Sequence, residues 1–179
     1  MKKRTNFWLI LLTCLTVLTF ACAKKEPVPE TPKLSPEEAA EARRTIVDWL
    51  ECEECEDGEL EAVAKLGEIA VPTLAATLDQ GPSPANREEL YRHLTRSYSE
   101  ITEYSRTHPE AKLEMTEEEY VKAYMDNYEA LYRSRAATAL AMIGGDDARK
   151  ALEAARDARL REDVQSVVDE GLENWAQQQ

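Results

Sequence analysis

Two stretches of the chain place small apolar residues at the same spacing in front of a glycine, and this limits the possible folds more than any other feature of the sequence. Leu60, Val63, Ala64 and Leu66 precede Gly67, and at a constant offset Ala137, Leu140, Ala141 and Ile143 precede Gly144. Steps of three and four residues put apolar side chains on one face of a helix, and a glycine just past the last of them is a helix stop. Beyond each glycine a second short pattern begins, Ala70-Val71-Pro72-Thr73-Leu74 in one case and Ala148-Arg149-Lys150-Ala151-Leu152 in the other, with one residue inserted in the second turn. Pro72 fits because the first turn of a helix has no need of its missing N–H. Each stretch therefore reads as two short antiparallel helices. One such pair cannot bury its apolar face alone, so the pairs must stack. The expected class is all-α, a short antiparallel helical repeat.

The shared pattern is carried by residues 59–80 and 134–158, roughly a third of the chain beyond its leader. It resembles HEAT repeats, in particular the short HEAT-like units also seen in phycobilin lyases, where A-L-x-x-[LI]-G-x-x-A-[VL]-P-x-L joins two antiparallel helices. The first unit keeps Ala70-Val71-Pro72 intact, while the second has Ala148-Arg149-Lys150 there. The resemblance implies a solenoid with a preformed concave surface for binding. It does not imply lyase activity, because such units serve many functions. A last helix bearing Val164, Val167, Val168, Leu172 and Trp175 would start a further half-unit or cap the stack, after a turn over Leu160–Asp163.

Around the units, helix punctuation is clear. Ser35-Pro36-Glu37-Glu38 combines an N-cap, a proline at the first helical position and a capping-box glutamate, opening a helix with Ile46, Val47, Trp49 and Leu50 on its apolar side and stopping near Cys52. Asp57 is expected to cap the first repeat helix, and Asp146 or Asp147 the partner helix after Gly144-Gly145. Residues 83–133 form an insertion that no repeat requires: a long helical hairpin. Its first helix opens at Ser83-Pro84, carries Leu90, Leu94, Tyr98 and Ile101 on one side and ends at His108-Pro109; its second opens with a Thr116/Glu119 capping box and runs on into the next repeat.

The N-terminus carries a different kind of signal. Lys2, Lys3 and Arg4 precede an uncharged apolar run from Phe7 to Phe20, the layout of an export leader. As a helix the run would reach about 21 Å, short of the hydrocarbon core of about 30 Å. It ends in Leu18-Thr19-Phe20-Ala21-Cys22, which resembles the lipobox of bacterial lipoproteins, with Thr19 where that family usually has leucine. The resemblance implies that residues 1–21 are removed as a signal peptide and that Cys22 takes the lipid. Ala21-Cys22-Ala23 would alternatively serve an ordinary signal peptidase and release a secreted protein; an uncleaved anchor is the third option. Residues 22–34 would then be a lipidated, Pro-rich tether, and 35–179 the helical domain. The expected location is the bacterial cell envelope, anchored to a membrane through lipid alone, with the outer membrane facing the periplasm the favoured site.

Removing residues 1–21 takes away three Lys/Arg and no Asp/Glu, so the formal charge moves from −13 to −16. A chain so acidic and without basic clusters is repelled by phosphate, which excludes nucleic-acid binding and argues against adsorption to anionic lipid. Both phenylalanines are in the leader, and all seven tyrosines are in the insertion. Four of these, Tyr120, Tyr124, Tyr128 and Tyr132, recur every fourth residue. Each step of four advances about 40° past a full turn, so they form a slanting stripe. Either the rings pack between the inserted helices with their hydroxyls toward water, or some line a surface that grips a peptide or glycan. Tyr98, Tyr120, Tyr124 and Tyr128 are the partner-binding candidates.

Cys52 and Cys55 form a CxxC in a strongly acidic turn. In an oxidising compartment that spacing reads as a disulfide pinning the turn. The neighbouring carboxylates oppose a reactive thiolate. A zinc site would need further ligands, and His93 and His108 lie about four helical turns apart, each expected at the surface. No EF-hand loop, nucleophile elbow, phosphate loop or H-E-x-x-H is present. The sequence thus points to a non-enzymatic scaffold or adaptor with no cofactor, binding an envelope protein or peptide. The alternative is a redox or metal-handling envelope protein centred on Cys52/Cys55.

Overall fold

The computed structural model describes residues 34–177 apart from Glu53 and Glu56, with only the backbone of Asp57. The leader, Cys22 and the Pro-rich spacer expected over residues 1–33 lie outside the described residues. Within them the chain is all-helical, as expected: α1 Pro36–Glu51, α2 Asp57–Lys65, α3 Val71–Gln80, α4 Pro84–Ser105, α5 Glu117–Ile143, α6 Gly145–Asp157 and α7 Glu162–Gln177. Single 3-10 turns at Gly67–Ile69 and Pro109–Ala111 join α2 to α3 and follow α4.

The helix starts follow from local chemistry. Both capping boxes form: Ser35 Oγ accepts from the Glu38 N–H while Glu38 accepts from the Ser35 N–H, and Thr116 and Glu119 do the same at α5. The hydrogen bonds from Ser35 and Thr116 hold the Glu38 and Glu119 carboxyls below the usual carboxylate range. The start of α6 differs from expectation. Gly144 and Gly145, at φ 69° and 81°, turn the chain so tightly that α6 begins at Gly145 with Gly144 as its N-cap, and neither Asp146 nor Asp147 caps it by side chain. Asp147 instead pairs with Lys150 at 2.7 Å.

Of the two expected hairpins, the C-terminal part of α5 packs against α6, whereas α2 packs chiefly on α1 and α5 rather than on α3, and α3 packs against both α5 and α6. Several of the positions matched in the sequence behave alike. Gly67 and Gly144 both take left-handed φ, Val63 and Leu140 are fully buried, and so are Ala70 and Leu74 beside Ala148 and Leu152. One core runs through α2, α3, α5 and α6 and draws in Ile46, Trp49 and Leu50 of α1 and Val164 and Val168 of α7. Alanines at 130, 136, 137, 139 and 148 allow the close helix approach that a core with no phenylalanine requires.

α7 runs beside α5 in the same direction. Arg161, just ahead of α7, donates to the Asp126 carbonyl and to Asn127 Oδ1 near the middle of α5, and Gly171 lies against Ala141 near its end. The insertion folds as an antiparallel pair of α4 with the first half of α5. Arg87 pairs with Glu129 toward one end, and the Tyr98 hydroxyl donates to the Met115 carbonyl at the other. This pair has its own small core of Leu94, Tyr120 and Val121, with Leu90, Tyr98 and Ile101 around it.

Candidate functional site

α1 and α3 do not close on each other along their whole length. Between them lies an open groove of about 690 Å³, with Arg43, Val47 and Glu51 on the α1 wall and Pro72, Thr73 and Ala76 on the α3 wall. Its end is closed by the α3–α4 connection, where Gly81 at φ 74° donates its N–H to the Thr77 carbonyl at 2.8 Å. The Arg87 guanidinium caps α3 there by donating to the Gln80 carbonyl, a cation at the negative end of a helix.

A polar network forms the floor. Tyr132, only 3% exposed, donates its hydroxyl to Glu51 Oε1 at 2.8 Å and accepts from the Tyr128 hydroxyl at 3.0 Å. Asn86 Nδ2 reaches both Glu51 Oε1, at 2.5 Å, and the Tyr132 oxygen, at 3.2 Å. Ser83 Oγ donates to Asn86 Oδ1 at 2.7 Å, which fixes the amide with its NH₂ toward the carboxylate. Burial first, and then the hydrogen bonds with Tyr128 and Glu51, push the Tyr132 phenol well above its ordinary value of 10.0, so it stays a neutral donor. α1, α4 and α5 are thereby locked at one point. Beside it, Trp49 Nε1 donates to the Arg135 carbonyl at 3.3 Å, while Arg135 Nη1 donates to the Leu50 carbonyl at 2.8 Å.

The four candidate tyrosines are not brought together as one surface. Tyr120 is buried against α4, its ring 5.6 Å from that of Tyr98, whose hydroxyl is committed to Met115. Tyr128 is half-buried and turned toward Tyr132, with ring centroids 4.7 Å apart. Tyr124 alone of the four is broadly open, at 51% exposure, leaning on Tyr120. The slanting stripe explains the division, since it carries the tyrosines from the α4 side of α5 round to the α1 side. His93 is exposed, and His108 stacks on Tyr104 with ring centroids 3.9 Å apart.

Cys52 is the C-cap of α1, and it and Cys55 lie at disulfide distance, Cα atoms 5.4 Å apart, across the turn into α2. A carboxylate oxygen of Glu59, in the first turns of α2, comes within 4.8 Å of both sulfurs.

No family model, curated protein or solved structure matches the chain. The site therefore rests on its own chemistry. The groove offers a neutral phenol network, one carboxylate, two guanidinium groups and apolar walls, an assortment suited to holding a polypeptide by hydrogen bonds and contact. Sequence reasoning did not single out Glu51, Asn86 or Tyr132 as site residues. Tyr132 carried a signal, as the last member of the every-fourth-residue series, whereas Glu51 and Asn86 carried none, because their meeting depends on how α1 and α4 dock.

Proposed function

We propose that this chain is a lipid-anchored scaffold of the bacterial cell envelope, a short HEAT-like helical stack that binds a protein partner without catalysing a reaction. The observation that carries the reading is the preorganised groove between α1 and α3. Its floor residues are fixed by hydrogen bonds to one another, so a partner segment would find its donors and acceptors already placed. The matching behaviour of Gly67 with Gly144, and of Val63 with Leu140, supports the repeat reading. The leader and the Ala21-Cys22 sequence support export and lipidation, with residues 22–34 acting as a spacer. Tyr124 is kept as a secondary contact, because its ring is open to solvent.

Ala76 is exposed on the α3 wall, so Ala76→Trp fills the groove without touching the core. The full-length variant is expected to fold as the parent does and to lose at least tenfold in partner capture from envelope extracts, while Tyr124→Ala loses less. Equal capture by the parent and Ala76→Trp would remove the groove from the proposal.

A further inference from the structure

The described residues hold one cluster of metal-binding side chains: Cys52, Cys55 and Glu59. The two cysteines sit at the end of α1 and in the turn, and Glu59 is supplied by the helix that follows. We infer that the dithiol form of this corner binds one divalent cation of the zinc class, with Cys52 and Cys55 as thiolate ligands and Glu59 as the carboxylate ligand, and that disulfide formation abolishes the site.

The geometry carries the argument. A tetrahedral zinc ion with sulfur at about 2.3 Å and carboxylate oxygen at about 2.1 Å requires ligand atoms about 3.6–3.8 Å apart. The two sulfurs and the Glu59 oxygen lie within 4.8 Å of one another, and once the disulfide is reduced the sulfurs are free to separate toward those distances. Three protein ligands leave a fourth position for water. Electrostatics favours the ion as well. The last turn of α1 contains no basic residue of its own, and Arg135 of α5 already donates to its Leu50 carbonyl, so a cation beside Cys52 would add to the positive charge at that negative helix end. The carboxylates around the CxxC, which oppose a bare thiolate pair, attract a divalent cation, and the cation in turn offsets their effect on the thiols.

Two balanced steps connect the states. A dithiol reductant gives two electrons and two protons to the Cys52–Cys55 disulfide, yielding two thiols and the reductant's own disulfide. The cation then binds both sulfurs and the Glu59 carboxylate, and two thiol protons go to solvent. Cation and disulfide exclude each other because they use the same sulfur atoms.

The test uses full-length protein reduced with a dithiol and freed of reductant under inert gas, then titrated with Zn²⁺ against a competing chromophoric chelator. One equivalent should bind the reduced parent, with release of about two protons at pH 6.5, where the thiols are protonated. The oxidised parent and Cys52→Ser should lose this binding, and Glu59→Gln should bind at least tenfold more weakly with its thiol titre unchanged. Circular dichroism of each variant shows that the helices persist. Equal zinc uptake by the reduced and oxidised forms would overturn the inference, as would undiminished affinity in Glu59→Gln.

Discussion

Tyr132 shows how much can depend on one hydroxyl. It joins Glu51, Asn86 and Tyr128, and each of these belongs to a different part of the fold or a different turn of α5. Tyr132→Phe leaves Tyr128 without its acceptor and removes one of the two donors to Glu51, the other being Asn86, at a cost of about 1–3 kcal/mol. Urea unfolding should show this as a lower midpoint with an unchanged slope. The Tyr132 phenol also sets a pH dependence. Its value is raised in the folded chain above the unfolded 10.0, so its contribution is complete below pH 10 and is lost as pH climbs toward the folded value. Stability measured from pH 9 to 11.5 should fall less steeply in Tyr132→Phe than in the parent, and an equal fall would contradict this role. None of this was legible from residue spacing. The sequence placed Tyr132 in a stripe but could not show which end of the stripe meets α1.

At the scale of elements, the sequence was far more informative, because helix ends are local. The capping boxes at Ser35 and Thr116 and the stops at Gly67 and Gly144 are decided by residues within one turn, and all appear where the pattern put them. The continuity of the second inserted helix into the repeat also followed from an unbroken helical pattern, and α5 runs from Glu117 to Ile143. What failed was the cap of α6, where two successive glycines left no room for the expected aspartate. Helix-to-helix approach was equally hidden. Gly171 looks like a weak point in α7, but a Cβ there would lie 2.9 Å from the Ala141 Cβ. That atom is fixed to the backbone of α5 and cannot swing aside. Gly171→Ala gains about 1 kcal/mol in helix propensity and loses about 1–3 kcal/mol to overpacking, so the net expectation is a loss of about 1 kcal/mol. Thermal unfolding should show a fall of about 2–4 °C, and a rise would mean that α5 and α7 are less tightly packed.

For the whole molecule, the fold class followed from glycine-punctuated apolar periodicity, and the insertion from the length of chain between two matching units. The groove did not follow, because it is the space left between α1, which precedes the repeats, and α3, which belongs to one of them. The Cys52/Cys55/Glu59 corner is similar: the thiols were visible in the sequence, but the third donor depends on the angle between α1 and α2. The anchoring proposal is testable at this scale. Expressed at full length in a bacterial host with an alkyne-bearing fatty acid, the parent should take up label and partition with membranes, whereas Cys22→Ser should do neither. The account depends most on occupation of the α1–α3 groove. Its most direct measurement is site-specific photo-crosslinking in intact cells, with a photoreactive residue placed in turn at Ala76 in the groove and at Met142, exposed on α5. The account predicts one discrete cross-linked protein from position 76 and none from position 142; a specific adduct from 142 with nothing from 76 would contradict it.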